Sequence, residues 1–306
     1  MRWSKKGLVW SNPGIGSWGT TSALTPTPFH LSTDVIRIFA GFRDKSGVSR
    51  IGYVDLAATD PTHVLGVSET PILEIGRDGC FDDNGVILGD VIRTDHEIRM
   101  YYIGFQLVQK VKFLAFTGLA ISKDNGNSFE RFSEVPILDR VAGASTIHAL
   151  HSIQRTENGW LAWAARGEGW EIRQGKPYPR YEIWQMSSAD GLQFNQAQKV
   201  VSVRNNEYRI GRPSVFKRPD GKLGMFYTAG YLDNDRYDAG LAVSDDGITW
   251  RRMDQDIGLT TSGTDAFDRL HLCYPRIFKA GNRHFAVYNG NNMGIEGFGL
   301  AELLEW

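Results

Sequence analysis

The stretch RPSVFKRPDGKLGMFYTA, residues 212–229, indicates a β-hairpin. Two apolar runs flank the turn residues Pro219, Asp220 and Gly221, and the second run ends in an aromatic residue followed by small ones. Turn residues between two such runs are typical of paired antiparallel strands. Four other segments have the same form: PTPFHLSTDVIRIFAG (26–41), LGDVIRTDHEIRMYYIG (88–104), HALHSIQRTENGWLAWAA (148–165) and YPRIFKAGNRHFAVYNG (274–290).

The five hairpins recur with a regular period. The aromatic residues that end their second strands are 63, 61, 64 and 61 residues apart: Phe39, Tyr102, Trp163, Tyr227 and Tyr288. A third strand follows each hairpin: IGYVDL (51–56), TGLAIS (117–122), YEIWQMS (181–187), AGLAVS (239–244) and FGLAEL (298–303). Multi-stranded units repeated about every 62 residues predict a β-propeller with one blade per unit.

Three of the third strands run into the same kind of turn, in which Ser, Asp and Gly precede an aromatic residue. The turns begin at Ser122, Ser188 and Ser244. In such a turn the aspartate accepts backbone N–H groups and the glycine adopts a positive φ. We therefore expect these aspartates to be structural rather than ligand-binding.

Five units predict an all-β fold, a five-bladed β-propeller in a single domain spanning 1–306. The expected blades are 20–75, 80–140, 143–203, 207–258 and 265–306 with 2–10. The last unit ends at FGLAELLEW, one strand short of a blade. The apolar N-terminal stretch can supply that strand and remove an open sheet edge. The ring is thus predicted to close by the N-terminal strand completing the last blade.

Composition excludes several classes of protein. The 306 residues are 42% hydrophobic and 23% charged, and 34 Lys+Arg against 35 Asp+Glu give a net charge of −1, so no nucleic-acid partner is expected. No apolar run approaches the ~20 residues of a transmembrane helix. The N-terminus lacks the apolar core of a secretory signal, which favours a cytoplasmic location. Cys80 and Cys273 are expected to be buried free thiols.

In a propeller the first strand of each blade lines the central channel, and loops at one mouth build the site. Every predicted blade brings carboxylates, arginines, histidines or aromatic residues to these positions. Burying so many charges costs several kcal/mol per unpaired ion, so we expect a functional pocket there. For any single charge, the alternative is an ion pair that fixes a loop.

Three parts of the sequence resemble a known family. FDDNGVILGD (81–90), followed by YYIG (101–104), resembles the second blade of the five-bladed propeller glycosidases. RPSVF (212–216) before MFYTA (225–229), and the Ser-Asp-Asp-Gly turn at 244–247, resemble them too. That group includes arabinanases, xylosidases, invertase-type fructosidases and mannoside phosphorylases. The resemblance covers the repeat architecture of the whole chain and implies a carbohydrate-active protein.

The resemblance also implies three carboxylates around the axis, from which this sequence departs. Thr-Pro-Thr-Pro (25–28) stands where the first aspartate is expected, and blade three brings His-Ala-Leu-His (148–151). Asp90 best matches a catalytic or orienting aspartate, and the adjacent Gly89 should let a ligand approach the backbone. Glu207 is the candidate acid, and Asp83 is a further catalytic candidate. The missing carboxylate argues against ordinary two-carboxylate hydrolysis.

The second departure from the pattern of the propeller glycosidases is a set of arginines at the predicted mouth. Planar guanidinium groups suit bidentate recognition of phosphate or carboxylate, so an anionic sugar is expected. The alternative is that Asp82, Asp83, Asp265 and Asp268 neutralise some of them. The candidate substrate-binding residues are Arg43, Asp44, His151, Arg166, Glu168, Arg212, Tyr231, Asp233, His271, Arg276 and Asn291; Arg209 and Asp235 also fall at the predicted mouth.

No cofactor is expected. The His148-x-x-His151 spacing on a strand places the two rings on opposite faces, which argues against a shared metal, although a water-ligated channel cation is an alternative. The predicted function is an enzyme that cleaves or transfers a glycosyl unit with an anionic group, in intracellular polysaccharide precursor metabolism. The alternatives are a non-catalytic carbohydrate-binding propeller that uses Trp170, Tyr208 and Tyr231 as platforms, and a glycosyltransferase of surface polysaccharide biosynthesis.

Overall fold

The computed structural model describes residues 1–234 and 236–306. The chain begins with strand β1 (Arg2–Ser11) and then forms the first blade, whose four strands pair antiparallel in chain order. These strands are β2 (Thr21–His30), β3 (Val35–Arg43), β4 (Ser49–Ala57) and β5 (Val64–Val67).

The second and third blades repeat this arrangement. Blade 2 contains β6 (Val86–Arg93), β7 (Ile98–Gln106), β8 (Leu114–Ser122) and β9 (Glu130–Arg131). Blade 3 contains β10 (Ile147–Thr156), β11 (Gly159–Arg173), β12 (Lys176–Ser188) and β13 (Asn195–Val201). Strand β10 also makes a short parallel contact with β8, so neighbouring blades are hydrogen-bonded to each other.

The last two blades complete the ring. Blade 4 contains β14 (Glu207–Lys217), β15 (Leu223–Tyr231), β16 (Tyr237–Ser244) and β17 (Arg251–Arg252). Blade 5 contains β18 (Cys273–Ala280), β19 (Arg283–Asn289) and β20 (Gly297–Glu305), with β1 as its outermost strand. The helical elements are a 3₁₀ turn (Asp254–Asp256) and the single turn α1 (Asn291–Gly294). In the described part of the chain, no helix has the length and apolarity needed to cross a membrane.

Ring closure by the N-terminal strand is confirmed. Strand β1 runs antiparallel to β20, with Lys5 opposite Ala301. Trp10 at the end of β1 is buried and lies 6.0 Å from the ring of Phe298 in its own blade and 5.4 Å from Phe42 in blade 1. The strand therefore satisfies the open edge of blade 5 and also packs against the neighbouring blade.

The aromatic residues that define the sequence period form the core. Phe39, Tyr102, Trp163, Tyr227 and Tyr288 are all fully buried. Two of the tyrosine hydroxyls donate to buried aspartates: Tyr102 to Asp82 over 3.0 Å and Tyr288 to Asp268 over 3.1 Å. These aspartates also pair with Arg131 and Lys5, respectively. Both carboxylates are thus part of the packing between strands and loops.

The Ser-Asp-Gly turns have the structural role expected of them. In the turn that follows β16, Asp246 accepts the backbone N–H groups of Ile248 and Thr249, over 2.8 and 2.7 Å. Gly247 has a φ of +74° and donates its N–H to Ser244. These hydrogen bonds lower the pKa of Asp246 to about 2, so the carboxylate stays ionised as the turn requires.

Each inner strand is interrupted by a bulge at the same level of the channel. The pairing registers shift at Thr25, Gly89, His151, Arg212 and Tyr274, which are 61 to 64 residues apart. Thr25, Arg212 and Tyr274 have positive φ values of 53°, 54° and 58°. Such a backbone is unfavourable for side chains with a Cβ and is concentrated at functional sites in proteins. The five bulges form a ring around the axis, and we define them as the bulge ring.

Candidate functional site

A cavity of about 470 Å³ opens at the end of the channel where the inner strands begin. The bulge-ring residues Thr25, His151, Arg212 and Tyr274 lie at its base. Its basic lining residues are Arg43, Lys112, Arg209 and Arg212, and its larger aromatic residues are Phe105, Phe113, Trp170, Tyr178, Tyr181, Tyr208, Tyr237 and Tyr274. Among the described residues that line the cavity, none is an aspartate or a glutamate.

A long hairpin of blade 3 forms one wall. Strands β11 and β12 continue past the edges of the other blades and turn at Gln174 and Gly175, both of which have positive φ. The hairpin carries Trp170 and Tyr178 along the cavity. Trp170 packs edge-on against Phe113 of the β7–β8 loop at 4.9 Å, and Tyr178 packs against Tyr208 at 5.1 Å. These contacts link blades 2, 3 and 4 into a continuous aromatic wall.

Arg209 lies within this wall, surrounded by tyrosines. Its guanidinium is 4.2 Å from the ring centre of Tyr237, 5.0 Å from Tyr208 and 5.9 Å from Tyr181. Its Nε is buried without a hydrogen-bond partner, and no ion pair to Arg209 occurs in the described residues. Cation–π contact stabilises the charge but does not neutralise it. Arg209 therefore offers an uncompensated positive charge at the cavity wall.

Two further arginines close the channel below the cavity. Arg212 of blade 4 donates to the carbonyl of Leu88 in blade 2, to Nδ1 of His151 in blade 3 over 3.1 Å, and to the carbonyl of Thr25 in blade 1 over 3.4 Å. Arg276 of blade 5 donates to Asp90 over 2.7 Å and to the carbonyls of Gly89 and His151. Together these two side chains connect all five blades across the axis.

Positive charges outnumber negative charges at the propeller axis. Arg212 and Arg276 are both buried, and the carboxylate of Asp90 pairs with Arg276 alone. Burial, reinforced by the charge of Arg276, lowers the pKa of Arg212 to about 9, so it is still charged at neutral pH. Burial and the same two arginines hold the pKa of His151 well below its ordinary value, so its imidazole is neutral. The base of the cavity thus carries a net positive charge.

The predicted site residues fall into three groups. Arg43, His151 and Arg212 line the cavity. Asp90 and Arg276 lie just beneath it and bind each other. The other candidates lie outside the cavity lining: Asp44, Asp83, Arg166, Glu168, Glu207, Tyr231, Asp233, His271 and Asn291.

The carboxylates among these candidates have local partners. Glu207 forms a buried ion pair with Arg252 over 2.7 Å and accepts the N–H of Arg204. Asp83 accepts the N–H of Gly79 over 2.9 Å. Asp90 accepts hydrogen bonds from the backbone N–H groups of Val91 and Ile153 in addition to Arg276.

The polar residues around the mouth also have local partners. Asp44 pairs with Arg50, Glu168 accepts the N–H of Gly143, Asp233 accepts from Asn206, Asn291 accepts the N–H of Leu270, and His271 accepts the N–H of Asn292. Tyr231 ends strand β15 opposite Glu207. Arg166 lies over the ring of Trp184 at 4.7 Å and donates to the carbonyl of Ala142. Asp235 lies outside the described residues.

The role expected of Gly89 is corrected by the structure. A Cβ at this position would lie 2.3 Å from the carbonyl oxygen of Leu150 and 2.5 Å from that of Tyr101. The glycine therefore permits the close approach of two strands of the protein itself, and it does not line the cavity.

Sequence reasoning missed Lys112, Tyr178, Tyr181 and Tyr237, all of which line the cavity. Tyr181 lies on a predicted strand, whereas Tyr178 and Tyr237 lie where β12 and β16 extend beyond the strands predicted at 181–187 and 239–244. The long hairpin of blade 3 could have been predicted from Gln174-Gly175. A turn with Gly flanked by alternating apolar residues predicts a hairpin that extends well beyond Arg166. In the described ranges, no group of three or more His, Cys, Asp or Glu side chains is placed to hold a metal ion.

Comparisons with known proteins bear on the fold. No protein-family model matches the chain. Two uncharacterized proteins of Mycobacterium tuberculosis, from strains CDC 1551 / Oshkosh and ATCC 25618 / H37Rv, are 29% and 28% identical to it, each over 99% of both chains.

Solved structures are similar over nearly the whole chain at low identity. A glycoside hydrolase superposes with a TM-score of 0.73 and 16% identity, covering 99% of this chain and 92% of that one. A thermostable family-43 glycoside hydrolase has a TM-score of 0.67 and 16% identity, with 97% and 93% covered. The β-1,2-mannobiose phosphorylase of Listeria innocua has a TM-score of 0.68 and 12% identity, with 92% and 89% covered. The chain therefore has the fold of these structures, a five-bladed β-propeller.

Proposed function

We propose that this protein is a carbohydrate-active propeller whose central cavity binds a sugar with an anionic group. The observation that carries the proposal is the composition of the cavity wall. Four basic side chains and a continuous row of aromatic rings line it, and the described lining residues include no carboxylate. An anion-binding, sugar-sized cavity is the function that this combination supports best.

The charge of the cavity selects an anion. Arg209 and Arg212 have no carboxylate in contact with them among the described residues, and the Nε of Arg43 is also without a partner. Uncompensated buried cations are costly, and a ligand that neutralises them recovers that free energy on binding. A neutral glycan would leave all three guanidinium groups uncompensated.

The aromatic wall is suited to sugar rings. The apolar C–H face of a pyranose can pack on the flat faces of Trp170, Tyr178 and Tyr208, while the tyrosine hydroxyls offer hydrogen bonds at the edges. A volume of about 470 Å³ accommodates a monosaccharide or disaccharide with its anionic substituent.

The geometry does not favour hydrolysis by a pair of carboxylates. That reaction needs two carboxyl groups on either side of the scissile bond, about 5–9.5 Å apart. Asp90 is bound by Arg276 below the cavity, and Glu207 is bound by Arg252 outside its lining. We therefore propose that recognition of the anionic sugar, rather than two-carboxylate hydrolysis, is the function of the cavity.

A second candidate is glycosyl transfer to or from phosphate. It is favoured by the arginines at the cavity base, which could hold phosphate as a nucleophile, and by Asp90 immediately beneath them. In that case Asp90 would be the single catalytic carboxylate. Either function is compatible with a cytoplasmic role in the metabolism of polysaccharide precursors, which we propose as its setting.

Isothermal titration calorimetry tests the proposal. Wild-type protein should bind a uronate or a sugar phosphate more tightly than the corresponding neutral sugar. Arg209→Met should weaken binding of the anion by about tenfold or more, because it removes a charge-assisted contact. Arg166→Met is the matched control, since Arg166 is a buried arginine outside the cavity lining, and it should leave the affinity within about twofold.

Equal affinity of wild type for neutral and anionic sugars would contradict the proposal. The second candidate is examined separately, by chromatography of oligosaccharides incubated with the protein in the presence and absence of phosphate. Release of a sugar 1-phosphate that depends on Asp90 would establish phosphorolysis instead of binding alone.

A further inference from the structure

Building on the anionic-carbohydrate function proposed above, we infer that the anion is a phosphoryl group of the sugar ligand, bound on the propeller axis by Thr25, His151 and Arg212. These three residues belong to blades 1, 3 and 4, and all lie in the bulge ring at the base of the cavity. The inference rests on an inventory of hydrogen-bond donors and acceptors at the axis.

The acceptors near the axis are already occupied by the two arginines. Arg212 donates hydrogen bonds to the carbonyls of Leu88 and Thr25. Arg276 donates to the carbonyls of Gly89 and His151 and to the carboxylate of Asp90. Nδ1 of His151 also faces Arg212. A sugar hydroxyl at this position would find few acceptors for its own proton.

The donors, in contrast, are free. The hydroxyl of Thr25 is buried without a hydrogen-bond partner in the described structure. Because a guanidinium nitrogen can only donate, Nδ1 of His151 accepts from Arg212 and the ring proton is on Nε2. That Nε2–H has no partner among the described residues. Arg212 uses three of its N–H groups in these contacts, which leaves two of the five that a guanidinium has.

A ligand group with acceptors alone complements this set. A phosphoryl group offers three terminal oxygens, none of which has to donate when the group is a dianion, and it carries about −1.5 to −2 charge at neutral pH. Donors that converge from three blades around an axis match three oxygens better than the two coplanar oxygens of a carboxylate. The net positive charge left by Arg212, Arg276 and Asp90 favours the dianion further.

The sugar part of the ligand would then occupy the rest of the cavity. Tyr274 lies next to Arg212, with the guanidinium 5.3 Å from its ring centre, and Tyr237 packs edge-on against Tyr274 at 5.5 Å. From there the wall continues to Arg209 and Tyr208. One continuous surface therefore leads from the axial donors to the aromatic platforms, which favours a phosphate ester of the sugar over a separate phosphate ion.

Calorimetric titration with defined probes tests the assignment. The probes are the 1- and 6-phosphates of glucose and mannose, glucuronate, and inorganic phosphate. At least one sugar phosphate should bind more tightly than glucuronate and inorganic phosphate. Thr25→Val removes the hydroxyl and retains the shape of the side chain. It should weaken the binding of that sugar phosphate by about tenfold or more.

Thr27→Val is the matched control. Thr27 is a buried threonine on the same strand that does not line the cavity, and its hydroxyl donates to the carbonyl of Thr25 over 3.0 Å. This variant should leave the affinity within about twofold. If Thr25→Val does not fold, the pH profile of the wild type serves instead. Affinity for the sugar phosphate should fall as pH drops through about 6, where a phosphate monoester becomes a monoanion.

Four protein groups that face the site keep their charge state in that range. His151 is neutral there, because burial and the charges of Arg212 and Arg276 hold its pKa well below its ordinary value, and Arg212 stays charged. Tyr274 and Tyr237 stay protonated because burial raises the pKa of each hydroxyl. Affinity that is flat between pH 7.5 and pH 5 would overturn the phosphoryl assignment.

The outcomes also separate this inference from the proposed function. Glucuronate binding that equals sugar phosphate binding and is insensitive to Thr25→Val overturns the phosphoryl assignment and leaves the anionic-sugar function intact. If inorganic phosphate binds as tightly as any sugar phosphate, the assignment of the ligand as a phosphate ester is overturned. That result would favour phosphate as a co-substrate. Failure of every anionic probe to bind overturns both.

Discussion

Arg276 of blade 5 reaches across the propeller axis and donates to the carboxylate of Asp90 in blade 2 over 2.7 Å. Blade 1 separates these two blades along the ring, so the pair joins strands that share no sheet. Both side chains are largely buried, with 8% and 14% of their surface exposed. The carboxylate that best matches a catalytic or orienting aspartate of the family is therefore held by an arginine in this structure.

Asp90→Asn should destabilise the fold by about 3–5 kcal/mol, because it leaves the guanidinium of Arg276 buried without its counter-charge and close to Arg212. Urea denaturation followed by tryptophan fluorescence measures the free energy of unfolding. Arg77→Ala is the control, since Arg77 and Glu134 form an ion pair with 69% and 60% of their side-chain surface exposed, and solvent-screened pairs contribute little to stability. An Asp90→Asn protein as stable as the Arg77→Ala protein would show that the axial pair is not structural.

Trp10→Ala should destabilise the protein by about 3–5 kcal/mol, because Trp10 fills the junction between the closing strand and blades 1 and 5. Leu8→Ala on the same strand is the control, since Leu8 is 39% exposed, and it should cost well under half as much. Deletion of residues 2–10 should expose the edge of β20 and cause aggregation, measured by light scattering. A truncated protein that is monomeric with an unchanged Tm would contradict closure by the N-terminal strand.

Glu207→Gln separates a structural role from a catalytic one. Its carboxylate and the guanidinium of Arg252 are both about 5% exposed and lie 2.7 Å apart, so loss of the charge should cost about 2–4 kcal/mol. Because Glu207 does not line the cavity, the affinity for an anionic sugar should stay within about twofold. The opposite pattern, in which stability is unchanged and turnover of a substrate is lost, would make Glu207 the acid that the sequence resemblance implied.

His148→Phe should reduce the sensitivity of the fold to acid. Burial, reinforced by the charge of nearby Arg166, lowers the pKa of His148 to about 4. Between pH 6.5 and pH 4 the unfolded chain therefore takes up a proton that the folded chain does not, so stability falls as pH falls through this window. This one group lowers the free energy of unfolding by roughly 2–3 kcal/mol at pH 4.

Urea denaturation at pH 7 and at pH 4 measures the effect. The difference in unfolding free energy between the two pH values should be smaller in His148→Phe than in the wild type. His96→Phe, at an exposed position in the turn between β6 and β7, is the control and should match the wild type. An unchanged pH dependence in His148→Phe would show that the histidine is not held neutral in the fold.

Local features of this protein followed from its sequence because their causes are local. The turn at Ser244–Gly247 could be predicted because the hydroxyl, the carboxylate and the glycine satisfy one another within four residues. The period of the aromatic residues predicted the blades, because every blade needs one large apolar residue at the same place in its second strand. The unfinished last unit likewise predicted that β1 completes the ring.

The site was less predictable, because its members come from distant parts of the chain. Asp90 and Glu207 fit the expected catalytic positions along the sequence, but their partners Arg276 and Arg252 are 186 and 45 residues away. Whether Asp90 faces the cavity or an arginine depends on which blades meet at the axis. No pattern within a single blade records that.

The sequence by itself determined the number of blades, the all-β fold and the closure of the ring, since strand periodicity and turn chemistry are properties of short segments. Only the tertiary structure decided which side chains meet at the axis. The bulges at Thr25, His151 and Arg212 turn these residues toward a common centre, and the long hairpin of blade 3 brings Trp170 over it. The physical reason is that a propeller builds its cavity from one or two residues of each blade, and their charges balance or remain uncompensated only after the ring has closed.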